Sequence, residues 1–285
     1  MLKSRRATRR EHALAAAAAL RRGVRDDHVL EAMREVPREA FVPERLREFA
    51  YDDAPLPIEA GQTISQPYIV GLMIEAAGVR PGDRVLEIGA GSGYAAAVIS
   101  RIADRVFAIE RHDELTRLAR ARLGRLGYDN VELRTGDGTR GWPEAGPFDA
   151  ILAAAGGPAV PQALKEQLDL GGRLVMPVGD EDGGQRLIRV TRTAANHFEE
   201  DDLGGVRFVP LIGEQGWPDA ETARRPAERR SFREAPAEVA PAALIRAAAE
   251  PLPDPGAPGF AVPFDRFAGA RLVLLGEASH GTSEF

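Results

Sequence analysis

The sequence predicts an α/β fold, a mostly parallel seven-stranded sheet with helices on both faces, preceded by an N-terminal helical cap. Three observations predict it. Short apolar runs alternate with helix-length stretches from about residue 61 to residue 215, the rhythm of a parallel sheet covered on both sides. Arg84-Val85-Leu86-Glu87-Ile88-Gly89-Ala90-Gly91-Ser92-Gly93-Tyr94 reads as a strand, a tight glycine turn and the start of a helix running to about Ile102. Acids stand at three consecutive strand ends, Glu87, Glu110 and Asp137, and sheets of this kind bind ligands beyond the carboxyl ends of their strands.

Taken in order, an alanine-rich helix is expected from about Thr8 to Arg22, closed by Gly23. Asp26 or Asp27 can cap a second helix, Val29 to Val36, which Pro37 stops. A short helix over Glu44 to Ala50 and a loop marked by Pro55, Pro57 and Gly61 complete the cap. Ile69 to Ala77 is an apolar helix; Ser65 stands where an N-cap would, with Pro67 in the first turn. A free hydroxyl at a helix N-terminus is also a ready carboxylate site. After the glycine turn come strands at Arg105–Ile109, Asn130–Arg134, Phe148–Ala155 and Arg173–Val178. Helices are expected over Glu114–Leu126 and Pro161–Leu168. Gln185–Arg192 and Val206–Leu211 are expected to close the sheet.

From Gly216 onward the texture changes, with nine prolines between Trp217 and Phe264. Residues 216–263 read as a linker with a short helix around Ala242 to Glu250. Arg271 to Leu275 is a further apolar strand, leading into Gly276-Glu277-Ala278-Ser279-His280-Gly281. The expected division is therefore a cap over 1–60, a core over 61–215, the linker, and over 264–285 the opening of something cut short.

Composition bounds the function. The chain has 285 residues, 44% of them hydrophobic and 28% charged, as in an ordinary globular protein. A net charge of −6 argues against general nucleic-acid binding. Without cysteine, thiol catalysis and thiolate metal sites are excluded, and no metal is expected. No apolar run reaches about 18 residues, so no membrane span is expected. The Arg- and Ala-rich N-terminus reads as an amphipathic helix with a solvated basic face rather than a transit peptide, which leaves the cytoplasm as the expected location.

The glycine turn narrows the ligand. Its spacing is G-x-G-x-G, not the G-x-G-x-x-G that aims a helix dipole at a pyrophosphate. Glu87, at the mouth of the turn, would repel a pyrophosphate but suits an ammonium. S-adenosylmethionine carries an α-ammonium and no phosphate, and the motif resembles the first motif of Rossmann-like class I methyltransferases. Glu110 can accept both ribose hydroxyls, and Asp137, between two glycines, can accept from an adenine amino group or make a turn.

Residues from about Arg22 to Glu214 resemble the protein-L-isoaspartate (D-aspartate) O-methyltransferase family. The resemblance is carried by Val36-Pro37-Arg38 with Phe41-Val42-Pro43, by Gln62-Thr63-Ile64-Ser65-Gln66-Pro67-Tyr68, and by the glycine turn. Gly136-Asp137-Gly138, Pro147-Phe148-Asp149-Ala150-Ile151, Gly171-Gly172-Arg173-Leu174-Val175 and Val206-Arg207-Phe208-Val209-Pro210-Leu211 continue it. It implies S-adenosylmethionine as cofactor, S-adenosylhomocysteine as product, and isoaspartyl proteins or peptides as partners, methylated on the free carboxylate as a step of repair. It also implies Ser65 as the active-site serine. Gln62, Thr63, Ile64, Glu87, Gly89, Gly91, Gly93, Glu110, Arg111, Asp137 and Gly138 would hold the cofactor; Ser65, Tyr68, Val206 and Phe208 would line the substrate cleft. Ala154-Ala155-Gly156-Gly157-Pro158 is more glycine-rich than the family's usual run.

An aspartyl-type carboxylate is already ionised at neutral pH, with a pKa near about 4. It needs no general base, consistent with His12, His28, His112 and His197 lying away from the motifs. A monomer is the default expectation. The last twelve residues resemble the start of erythromycin-esterase-like proteins, whose catalytic centre would include Glu277 and His280; with the rest of such a site missing, no esterase activity is expected. Two other readings stay open: an enzyme of this fold that methylates ordinary aspartate in a dedicated peptide, and a fusion whose main activity is hydrolytic. An amine methyltransferase fits less well, because the fourth strand ends in Ala-Gly-Gly-Pro rather than a polar Asn/Asp-Pro-Pro clamp.

Overall fold

The structure, a computed structural model, describes residues 15–180 and 184–219, all of which belong to one unit of the chain. Residues 8–14 of the first expected helix, the expected helix at 242–250, and the whole of 264–285 with Glu277 and His280 lie outside the described residues.

A seven-stranded sheet is ordered β5-β4-β3-β6-β7-β8-β9. Its central strand β3 (Arg84–Ile88) pairs in parallel with β4 (Arg105–Glu110) on one side and β6 (Phe148–Ala153) on the other. Outward from these, β5 (Val131–Thr135) and β7 (Leu168–Gly179) are also parallel, whereas β8 (Gln185–Ala194) pairs antiparallel with β7 and β9 (His197–Val206) antiparallel with β8. The chain steps from β3 to β4 and β5, then returns to the other side of β3. This reversal opens a crevice at the carboxyl ends of β3 and β6. Val85, Leu86 and Ile88 are at most 1% exposed. Burying side chains of this size contributes about 1.5–3 kcal/mol each, which fixes the strand that carries Glu87.

Helices cover both faces. α3 (Pro67–Ala77) and α4 (Tyr94–Ser100) share one apolar cluster with the cap, formed by residues 15–22 (α1) and α2 (Asp27–Glu35). Asp26 caps α2, its Oδ1 accepting from the backbone N–H of His28 and Val29. Arg38, fully buried, donates from Nε to the Ala50 carbonyl at 2.7 Å and sets its guanidinium 4.9 Å from the Tyr94 ring centre. That contact fastens the cap to the first residue of α4. α5 (Asp113–Leu126) follows β4, and a short α6 (Gln162–Glu166) precedes β7.

The short helix expected over Glu44 to Ala50 is present as the 3-10 helix Glu44–Phe49. Two expectations need correction. The helix expected over Pro161–Leu168 ends at Glu166, because Leu168 already pairs with Phe148 in the sheet. The seventh strand is His197–Val206, not Val206–Leu211. Its run of Glu199, Glu200, Asp201 and Asp202 hides the strand in sequence, yet this is the sheet edge. Arg189 and Arg186 of β8 pair there with Asp201 and Asp202, at 2.8 Å each. A charged edge strand also resists pairing with other chains.

Candidate active site

At the carboxyl ends of β3, β4 and β6 lies a cavity of about 750 Å³, within the range of small-molecule sites. Each wall can be traced to a sequence feature. β3 delivers Glu87 and the glycine turn. The turn is held by its neighbour strand: the N–H groups of Gly89 and Ala90 both donate to the Ile109 carbonyl, at 2.8 and 3.2 Å. Gly91 and the residue after Arg111 are held in turn by Glu110. One carboxylate oxygen accepts from the Gly91 N–H and the other from the His112 N–H, both at 2.9 Å. The Glu110 side chain is thereby locked at the strand end, with lone pairs still available on each oxygen.

Glu87 is different. It is 2% exposed, and its Oε2 has no hydrogen-bond partner among the described residues. Burial pushes its pKa up to about 8, the neighbouring Glu110 charge adds to the rise, and a backbone hydrogen bond from Ala96 opposes it. A buried carboxyl oxygen without a donor costs free energy unless a ligand supplies one. A cationic donor is the ligand group that meets this need, and the α-ammonium of S-adenosylmethionine is such a donor. The cavity's size, the orphan oxygen of Glu87 and the locked carboxylate of Glu110 together fit that cofactor.

The serine wall shows why Ser65 is available. β2 (Thr63–Ile64) pairs with β1 (Leu56–Pro57), and α3 begins at Pro67. Ser65 does not cap that helix: the N-cap is Gln66, without a side-chain cap bond. The cap comes from another segment, since Asp53 accepts from the Tyr68 N–H at 3.1 Å and from the Gln66 amide at 2.9 Å. Relieved of capping, Ser65 lines the cavity, and its hydroxyl has no hydrogen bond among the described residues.

On the opposite wall, residues 207–211 continue beyond the end of β9 and are pinned by neighbouring segments rather than forming a further strand. The buried Gln185 side chain acts as a two-way clasp on Phe208, accepting from its N–H at 2.7 Å and donating to its carbonyl at 3.2 Å. Gly156 donates to the Val209 carbonyl at 2.8 Å and accepts from the Leu211 N–H at 2.7 Å. A Cβ on Gly156 would stand 2.6 Å from the Gln185 amide nitrogen. The glycine at 156 is thus what lets Gln185 reach Phe208.

Of the residues singled out from sequence, Gln62, Thr63, Ile64, Ser65, Tyr68, Glu87, Gly89, Gly91, Glu110, Arg111, Gly138, Val206 and Phe208 line this one cavity. Two do not. Gly93 caps α4 in a left-handed conformation, φ 87°, and a Cβ there would press on Ala119 at 3.3 Å and Leu123 at 3.4 Å. It serves helix packing. Asp137 lies outside the lining: its Oδ1 accepts from the N–H and hydroxyl of Thr139, and its Oδ2 from the Glu214 N–H. It caps a turn and ties down the segment through Trp217. Asp137→Ala is accordingly expected to lower the unfolding free energy by about 1–3 kcal/mol in a denaturant titration. Unchanged stability with weakened cofactor binding would return Asp137 to the ligand.

The structure also adds residues. Arg22, Gln66, His112 and Arg207 line the cavity, and Arg111 is paired with Asp219 at 2.6 Å. His112 directly follows Glu110-Arg111, so its adjacency to the strand end was the available signal. Arg22 and Asp53 are far from the motifs in sequence and carry no such signal.

The residues that match known proteins are those that build this cavity. Residues 9–216 match the family model described as Protein-L-isoaspartate(D-aspartate) O-methyltransferase (PCMT). Protein-L-isoaspartate O-methyltransferase 1 of Rhodopseudomonas palustris (strain HaA2) is 62% identical over 196 residues, covering 69% of this chain and 80% of the relative. A second Rhodopseudomonas palustris protein-L-isoaspartate O-methyltransferase (strain ATCC BAA-98 / CGA009) is 57% identical over 209 residues, covering 73% and 96%. Among solved structures, a protein-L-isoaspartate O-methyltransferase superposes with a TM-score of 0.65 at 32% identity, covering 71% of this chain and 66% of that one. A Plasmodium falciparum protein solved in complex with S-adenosyl-L-homocysteine superposes with a TM-score of 0.62 at 27% identity, covering 70% and 98%. The chain belongs to the protein-L-isoaspartate(D-aspartate) O-methyltransferase family.

Proposed function

We propose that this protein methylates the free carboxylate of isoaspartyl residues in damaged proteins and peptides, using S-adenosylmethionine. The observation that carries the reading is one cavity walled by an uncommitted serine hydroxyl and a buried carboxyl, one of whose oxygens has no hydrogen-bond partner among the described residues. When bound, the cofactor supplies an electrophilic methyl group on a sulfonium sulfur. Glu87 would hold its ammonium, Glu110 its ribose hydroxyls, and Gly89, Gly91 and Gly138 the backbone surface against which it lies. Gln62, Thr63 and Ile64 would close over it from the β1–β2 ribbon, with Arg111 at the rim.

Ser65 donates its O–H to the acceptor carboxylate and fixes which oxygen lone pair faces the methyl. It does not act as a nucleophile. No His/Asp pair of the kind acyl transfer uses engages it among the described residues. The acceptor arrives ionised, so the protein's contribution is alignment and exclusion of water. Tyr68, Val206 and Phe208 would flank the acceptor chain. Residues 1–60 act as a cap on the 61–215 core, with 216–263 as a linker beyond it.

Transfer of labelled methyl to an isoaspartyl peptide tests the reading. The expected product is a base-labile ester, formed with isoaspartyl and not with the matching aspartyl peptide. Equal or greater labelling of the aspartyl peptide would point to a dedicated maturation enzyme instead.

A further inference from the structure

The acids lining the cavity are buried and its arginines are exposed; of the latter, Arg111 beside Glu110 is already paired with Asp219 at 2.6 Å. The two acids, Glu87 and Glu110, are 2% and 5% exposed at the floor. The charged residues that line it from the serine wall and from the 206–211 wall are both cations, Arg22 and Arg207. Arg22 is held in place: its guanidinium lies 4.4 Å from the Tyr68 ring centre, and Nη1 donates to Asp53 at 3.3 Å. Half of its side chain surface remains open, at 53%. Asp53 itself is not part of the lining, and its oxygens are also engaged by Gln66 and the Tyr68 N–H. Arg207 is exposed and has no ion pair or hydrogen bond among the described residues. Its nearest acids in sequence, Asp201 and Asp202, are taken by Arg189 and Arg186.

We propose that Arg22 and Arg207 form a cationic rim that selects methyl acceptors lying in an acidic peptide segment, one with carboxylate side chains flanking the methylated residue. The inference rests on the function proposed above and names its substrate class. Charges on an open rim act mainly through encounter rate and weak, salt-screened pairing. A basic flank would meet like charge on both walls. Stacking on Tyr68 and the bond to Asp53 reduce the freedom Arg22 must surrender when a carboxylate pairs with it, which favours a measurable contribution from that side.

The test uses isoaspartyl peptides identical except for two flanking residues, both Glu, both Gln or both Lys. It measures kcat/KM, and in parallel the affinity of fluorescent versions for protein saturated with S-adenosylhomocysteine. Glu is expected to exceed Gln, and Gln to exceed Lys, by about fivefold at each step at low salt, with the spread shrinking at high salt. Arg207→Glu should reverse the order, and combined Arg22→Gln and Arg207→Gln should flatten it. Arg207→Gln alone, at an exposed and unpaired position, covers the case in which the Arg22 variant fails to fold, and should narrow the spread. Equal kcat/KM for the three peptides in the unaltered protein, or a Glu preference surviving in the double variant, would overturn the proposal. Failure of every peptide to accept methyl would instead remove the proposed function, and the affinities would still read the rim.

Discussion

Ser65→Ala is expected to lower kcat/KM for an isoaspartyl peptide by about 10- to 150-fold, the range set by losing one hydrogen bond of about 1.5–3 kcal/mol to a charged group. The loss should fall on turnover and acceptor affinity, not on the cofactor. The reason is local: Ser65 holds no part of α3 in place, because Asp53 does the capping. Removing its hydroxyl leaves no orphaned backbone group and should not change the melting temperature appreciably. Ser65→Thr keeps the hydroxyl but adds a methyl in a lined wall, and should recover only part of the rate. A calorimetric titration in which Ser65→Ala loses cofactor affinity as severely as rate would contradict the assignment.

Cofactor affinity, by contrast, is expected to depend steeply on pH through Glu87. In the free protein burial raises this carboxyl to about 8, so at neutral pH it is mostly protonated, and a cationic donor must displace that proton to bind. A bound ammonium favours the carboxylate and returns the pKa toward its ordinary value. Binding then releases a proton below pH 8, and affinity for S-adenosylhomocysteine should rise up to about tenfold per pH unit between roughly pH 6 and 8 before flattening. The stability of the free protein runs the other way. The folded state binds this proton more tightly than the unfolded chain, so the Glu87 contribution to stability falls as pH rises from the ordinary carboxyl range through about 8. Glu87→Gln should abolish the affinity slope, weaken binding at pH 8, and flatten the stability profile. The slope is measured by titrations at several pH values, and proton release by repeating one titration in buffers of different ionisation enthalpy. A pH-independent affinity would place the ammonium elsewhere.

The parts of this protein legible in sequence are those where one local pattern decides the structure. β3, the glycine turn and α4 follow from an apolar run, three alternate glycines and an alanine-rich helix. Glu87 and Glu110 line the cavity because strand ends in a parallel sheet face the ligand crevice whatever the rest of the chain does. What escaped depends on contacts between distant segments. Ser65 has the sequence position of a helix cap, but Asp53, 15 residues before Tyr68, occupies that role through space. Asp137 has the look of a ligand acid, yet the chain returns 77 residues later to claim it with the Glu214 N–H. β9 was missed because its acids are neutralised by arginines on β8, a pairing that no periodicity within β9 announces. Gln185 gives no local sign that it will clasp Phe208, and the glycine at 156 makes sense only once that clasp is in place.

Every role assigned above requires one ligand to occupy the crevice between β3 and the serine wall. Calorimetric titration of S-adenosylhomocysteine into the purified chain at pH 8 tests this most directly. Saturable one-to-one binding, lost or strongly weakened in Glu87→Gln and retained in Ser65→Ala, is the predicted result; no heat of binding, or binding indifferent to Glu87, would contradict it.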